Sequence, residues 1–311
     1  MAPIGRDDAA LHPGQIGSAS PLLFTRLVDD AAMFPPGNAP LDQALKEHVE
    51  HRAAPYAGLV GPLLVPAGRA AELVEAVGGY GFSEPVRVAF VAPAGVGQAR
   101  EALATAVRDV VTTVAVELPL TPVDDLERTW AELAGVGAAG TTKRAVWWEI
   151  ERDGYLREQL GRVAGAARSN GPGGAKLRTG GADAAAVPSE VELAAFLRHA
   201  IDLDLTFKLT AGLHHAVRGT DETTGLEHHG VLNILCAIKA ALNGAEEDEL
   251  VEVLAERDVE PLVTRTHGMS EADASVIRAF WSSYGCCGVT DPIGELATLG
   301  LLGPDLAPAG R

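Results

Sequence analysis

Nowhere in the 311 residues does an apolar run approach the roughly eighteen that a membrane-spanning helix requires. The opening stretch, MAPIGRDDAALHPG, lacks a basic region followed by a hydrophobic one, so the expectation is a cytoplasmic protein. Cysteine is scarce. Cys236, Cys286 and Cys287 cannot all pair within the chain, and a bridge between adjacent Cys286 and Cys287 would be strained, which fits a reducing compartment. Cationic side chains are also few, 25 Lys and Arg against 42 Asp and Glu. The net charge of −17 therefore argues against a nucleic-acid backbone as the main partner. There is no low-complexity segment, heptad run or short repeat.

What the chain does have is hydrophobic content, 47%, arranged in a rhythm. Residues 1 to 20 are polar and read as an N-terminal arm. From Phe24 onward apolar strand-like runs alternate with helical patterns. FTRLVDD precedes LDQALKEHVEHRA, and GLVGPLLVPAG precedes RAAELVEAVGGYG. RVAFVAPAG, TTVAVELPL, RAVWWEIERDG, GGAKLRTGG and LTFKLTAGLHH follow, each with its own helix. Seven such units imply parallel strands with right-handed crossovers and predict an α/β fold, a single-domain (β/α)8 TIM barrel over residues 21–311, with an open doubly wound sheet as the alternative. The eighth strand is the short GCCGV, residues 285–289, rather than EPLVTRTHGMS, and EADASVIRAFWSSYG before it reads as a helix.

Function in such a barrel gathers at the C-terminal ends of the strands. Those positions hold Asp29 and Asp30 on the first strand, Glu117 on the fourth and Glu149 on the fifth. The sixth carries Lys176, Arg178 and Thr179, and the seventh carries Lys208, Thr210, His214 and His215. A lysine in an otherwise uncharged strand needs a partner or a cavity, because burying a lone ammonium costs several kcal/mol. Residues two apart on a strand share a face, so Lys176 lies with Arg178 and Lys208 with Thr210. Two ammonium groups on adjacent strands would disfavour each other's charge, and a neutral lysine amine attacks carbonyl carbon to form a Schiff base. A lysine paired with Glu117 or Glu149 as a purely structural ion pair is the alternative.

The lysine followed by Thr-Gly on strand six, the lysine followed by a small residue and Gly on strand seven, and LVDDAAMFPPG on strand one together resemble class I aldolases of the deoxyribose-phosphate aldolase type. The resemblance implies that Lys176 forms the imine, Lys208 tunes it and Glu117 stands for the family's strand-four acid. The sequence departs from that family in having Glu rather than Asp at 117 and Arg178 within the lysine motif. It also has a double histidine in place of the glycine turn after strand seven.

His214-His215 and His228-His229 flank the acidic stretch TDETTGLE, and imidazole with carboxylate is also a donor set for Zn or another divalent ion. One histidine from each pair, such as His214 or His215 with His229, would join Glu117 or Glu149. Alternatively one of them moves protons, or they are loop and cap residues. Arg178 has the fork to hold a carboxylate or phosphate, with Thr179, Thr210, His215 and Asp30 beside it. Trp147 and Trp148 read as packing residues, and Cys286 and Cys287 as small buried residues rather than nucleophiles. GGAKLRTGG lacks the context of a dinucleotide site.

The expectation is a class I aldolase-type lyase that needs no cofactor and acts on a small carbonyl compound bearing an anionic group. The alternatives are a metal-dependent hydrolase or lyase using Zn or another divalent metal, and a barrel that only binds a small anion. The sequence carries no signal of oligomeric state; a homodimer is common for such barrels.

Overall fold

The computed structural model describes residues 19–80, 82, 84–106, 109–122, 125–135, 143–152, 154–181, 183–221 and 225–308. The N-terminal arm therefore lies outside the described residues except for Ala19 and Ser20, and Ala19 is buried in the core. The described elements are β1 (Val28–Asp30), α1 (Leu41–Ala53), β2 (Val60–Pro66), α2 (Ala70–Tyr80), β3 (Val86–Val91), α3 (Val96–Thr105), β4 (Val111–Pro119) and α4 (Leu126–Ala134). They continue with β5 (Ala145–Glu149), α5 (Leu156–Asn170), β6 (Gly173–Arg178), α6 (Glu190–Asp202) and β7 (Phe207–Thr210). A small antiparallel pair, β8 (Gly219–Thr220) and β9 (Glu227–His228), follows. After it come α7 (Val231–Leu242), α8 (Glu247–Ala255), α9 (Val259–His267), α10 (Glu271–Phe280), β10 (Trp281–Cys286) and α11 (Thr290–Thr298).

Eight strands close into a parallel barrel in the order β1-β10-β7-β6-β5-β4-β3-β2. This is a (β/α)8 TIM barrel, and the βα rhythm of the sequence is its cause: strands buried on both faces read as continuous apolar runs. Helix starts are set by local chemistry. Ser189 and Ser270 form capping boxes with Glu192 and Asp273, and Asp125 caps α4. Among the described residues no helix is long and apolar enough to cross a membrane.

The apolar core has two parts. The larger lies between strands and helices and includes Val116, Trp148, Leu177, Leu209 and Trp281. The smaller, Ala31, Leu64, Ala89, Ala115 and Trp147, sits on the alternate face of the strands, inside the barrel. Three of its five members are alanine. Small side chains at one level of the barrel leave room for long charged ones at the next.

The closing strand corrects the sequence expectation. It spans Trp281–Cys286 rather than residues 285–289, and EPLVTRTHGMS is helical over Val259–His267. Helix α10 stops at Phe280, although Ile277, Phe280, Trp281 and Tyr284 stand at helical spacing and extend the helix pattern in the sequence. Pairing on both sides overrides that spacing. Tyr284 registers with Val28 on β1 and Leu209 on β7, and Trp281 and Tyr284 stack outward with ring centroids 5.8 Å apart. This leaves Ser283 and Gly285 facing inward.

Strand β2 approaches β1 closely at Gly61, where an added Cβ would stand 2.0 Å from Oδ1 of Asp29. Only glycine leaves the Asp29 carboxylate in place. Gly61→Ala is expected to destabilise the fold by about 1–3 kcal/mol, as overpacking does, measured by urea unfolding. An unchanged midpoint would show that Asp29 is free to move.

Candidate functional site

Six charged side chains converge at the C-terminal half of the barrel. They are brought there by register. Lys176 on β6 is level with Lys208 on β7 and with Glu149 on β5, and Arg178 is level with Thr210. Glu117, buried on β4, stands between the two lysines. Its Oε2 lies 2.8 Å from Nζ of Lys176, and its Oε1 accepts a hydrogen bond from Nζ of Lys208. Oε2 makes no hydrogen bond of good geometry, so its contact with Lys176 is principally Coulombic. Lys208 also donates to Oδ2 of Asp29 at 2.7 Å, and Ser283 Oγ donates to the same oxygen at 2.7 Å. Lys176 lies 2.8 Å from Glu149 Oε2, and Glu149 Oε1 meets Arg178 Nε at 3.4 Å. Three cations thus face three carboxylates.

The group has an inner and an outer end. The side chains of Lys208, Glu117 and Asp29 are 1%, 0% and 4% exposed, whereas Glu149 is 25% and Arg178 49% exposed. Burial alone would discharge each inner group. For Glu117 the charges of Lys176 and Lys208 outweigh it and hold the carboxyl at about 2. Lys208 likewise resists burial because Asp29 and Glu117 flank it, and its ammonium is held above the usual lysine range. For Asp29 burial prevails over Lys208 and raises the carboxyl. In Glu149, burial is outweighed by Lys176 and then Arg178, which lower it. Mutual repulsion between the lysines was expected to discharge them; Glu117 between them prevents this for Lys208.

Of the other residues singled out in the sequence, Asp30 and Thr179 lie elsewhere, whereas Thr210 shares the inner face. Asp30 alternates to the outer face of β1, accepts from Ala32 N at 3.1 Å and pairs with His48 of α1 at 2.9 Å. The aspartate among the lysines is its neighbour Asp29. Thr179 is buried, its hydroxyl donating to the carbonyl of Ala211 at 2.6 Å. It ties the loop after β6 to the loop after β7, where Gly180 and Gly212 meet backbone to backbone. Gly212 has φ +77°, and a Cβ on Gly180 would stand 2.5 Å from its Cα. Thr210 is half-buried beside Gly285, on the same face as Lys208.

The rings of His215 and His228, one from each pair, stand edge to face with centroids 6.1 Å apart, whereas His214 and His229 are held by other partners. His214 pairs with Asp291 at 3.1 Å, and His215 with Glu295 at 2.7 Å. His229 is fully buried, donates Nε2–H to the carbonyl of Pro188 at 2.7 Å, and accepts from Arg218 at Nδ1. Burial pushes its pKa down, so it is a neutral structural brace rather than a proton carrier at the lysines. Of the acidic stretch between the pairs, residues 222–224 lie outside the described residues. Among the described residues no three His, Cys, Asp or Glu side chains are arranged to hold a metal ion. A surface concavity is bounded by Arg152, Ser189, Glu190, Arg218 and Glu227, and none of the six charged residues lines it.

Fold and site together define a (β/α)8 barrel carrying a lysine pair bridged by a buried glutamate. The sequence matches no protein-family model, and no curated protein matches it. Ser283 was not foreseen, because its strand reads as helix.

Glu117→Gln would leave two ammonium groups with too few counter-charges, and breaking a buried pair costs about 3–5 kcal/mol. Glu117 is lowered from 4.5 to about 2 on folding, so its stabilising contribution is complete above pH 4.5 and lost as pH falls toward 2. The variant is expected to unfold at lower urea at pH 7 and to lose less stability than wild type between pH 4.5 and 2. Parallel pH curves would show that Glu117 does not carry this charge balance.

Proposed function

We propose that the chain is a class I aldolase-type lyase in which Lys176 forms a Schiff base with a small carbonyl compound bearing an anionic group. The observation that carries this reading is an asymmetry between the lysines. Lys208 is locked between two buried carboxylates, whereas Lys176 shares a carboxylate, Glu149, that reaches solvent. Lys176 must lose a proton to become a nucleophile, and Glu149 is the acceptor 2.8 Å away with a path to water. Its amine then adds to the carbonyl carbon, and water leaves to give the iminium. The carbon–carbon bond beyond the adjacent carbon breaks, its electron pair flowing into the iminium to give an enamine, while the hydroxyl on the departing carbon loses its proton and that fragment leaves as a carbonyl compound. Reprotonation and hydrolysis return the lysine.

Lys208 keeps its charge throughout and fixes Glu117 and Asp29, and the Glu117 and Glu149 carboxylates beside Nζ of Lys176 stabilise the cationic iminium. Arg178, half-exposed at the outer end, holds the substrate's anionic group. Thr210 faces the same interior. The resemblance to deoxyribose-phosphate aldolases supports the same assignment of Lys176 and Lys208, with no cofactor and a cytoplasmic setting. A second reading is favoured by the near-complete burial and pairing of both lysines: a structural ion cluster that braces the barrel and takes no substrate.

Sodium borohydride added with pyruvate, glyoxylate or a small phosphorylated aldehyde separates the two. On the lyase reading the reduced adduct mass appears on Lys176, and Lys176→Arg abolishes it while the fold is retained. An adduct confined to exposed lysines, or none with any of the three, selects the structural reading.

A further inference from the structure

Beside the barrel mouth, independently of the lysines, the loop after β10 places a thiol against an imidazole that is itself held by a carboxylate. Sγ of Cys287 lies 3.4 Å from Nε2 of His214, and Nδ1 of His214 lies 3.1 Å from Oδ2 of Asp291 near the start of α11. This is the order nucleophile, proton partner, orienting acid. Cys287 is partly exposed, His214 is 21% exposed, and Cys287 stands three residues ahead of Thr290, the first residue of α11. A helix N-terminus and a neighbouring cation both favour thiolate.

The geometry points to Cys287 as a thiolate held by protonated His214, a modification site for small hydroperoxides. The neighbouring protons agree with this pairing. Cys286 is buried and its Sγ donates to the carbonyl of Gly288 at 3.3 Å, leaving it a thiol, and burial raises its pKa. The hydrogen bond to Asp291, then the contacts with Cys286 and Cys287, push His214 up to about 12. The other titratable groups around it are His215, paired with Glu295, and His228, whose pKa burial pushes down. Imidazolium then donates to a carboxylate on one side and a thiolate on the other.

In the reaction the sulfur electron pair attacks one peroxide oxygen, an S–O bond forms and the O–O bond breaks. The departing hydroxide of hydrogen peroxide, or the alkoxide of an organic hydroperoxide, takes the Nε2 proton of His214 and leaves as water or alcohol. Sulfur is oxidised to sulfenic acid and the hydroperoxide is reduced. The site is crowded, because an added Cβ on Gly37 would stand 3.0 Å from Cβ of Cys287, and that favours a small oxidant. A resolving disulfide is not at hand. Cys286 is adjacent and buried, and Cys236 is buried in α7 with its Sγ 3.8 Å from the carbonyl of Leu262.

The test uses the native 311-residue chain. Iodoacetamide alkylation, resolved by peptide mass, is followed for Cys287 between pH 8 and pH 5.5. An ordinary thiol, with pKa about 8.5, slows about tenfold per pH unit below it, whereas the His214-held thiolate keeps a flat rate. Hydrogen peroxide followed by dimedone is expected to label Cys287 and not Cys236, and His214→Asn to slow that labelling about tenfold or more. A Cys287 rate that falls tenfold per pH unit in wild type overturns the proposal without any variant. Labelling unchanged by His214→Asn in a folded protein overturns it as well.

Discussion

The barrel interior depends on one carboxylate, Glu117, placed between two ammonium groups. It is fully buried, and each of its oxygens faces a different lysine. Without it the two lysines, level with each other on adjacent strands, would face across roughly 4.8 Å of sheet spacing with no charge between them. With it, three negative and three positive groups form one chain from Asp29 through Lys208, Glu117, Lys176 and Glu149 to Arg178. The small residues of the inner apolar layer, and glycine at position 61, exist around this chain in the sense that larger ones would occupy its space.

That chain runs from a sealed end to an open one, and the gradient matters more for function than the number of charges. At the sealed end burial and pairing oppose each other and settle into fixed protonation states. At the open end Glu149 and Arg178 meet solvent, so protons and an anionic ligand have access there. On the lyase reading the reactive lysine is the one whose proton has somewhere to go, which is Lys176 beside Glu149. The lysine with the strongest claim to explanation in the sequence, Lys208 inside its apolar strand, has its explanation as a counter-charge.

How far these features were legible follows from the physics of each element. The barrel was legible because buried parallel strands are apolar throughout and their helices are amphipathic. The lysine pair was legible because strand periodicity is two and their strands are consecutive. Asp29 and Asp30 were not separable in the sequence. In a strand of three residues nothing but register says which carboxylate turns inward, and the partner of Asp30, His48, lies on a helix eighteen residues away. The closing strand was masked by a helical spacing that edge pairing on both sides overrides. The histidine pairs carried no sign of their partners, because Asp291, Glu295 and Pro188 are distant in sequence. For the same reason Cys287 read as a packing residue.

The most direct measurement is a crystal structure of the protein after borohydride reduction in the presence of an anionic carbonyl compound. The lyase account predicts continuous density from Nζ of Lys176 to a substrate carbon. It also predicts the anionic group at Arg178, with Lys208 still bridging Asp29 and Glu117. An unmodified Lys176, still paired with Glu117 and Glu149 while Lys208 or no lysine carries the adduct, would contradict it.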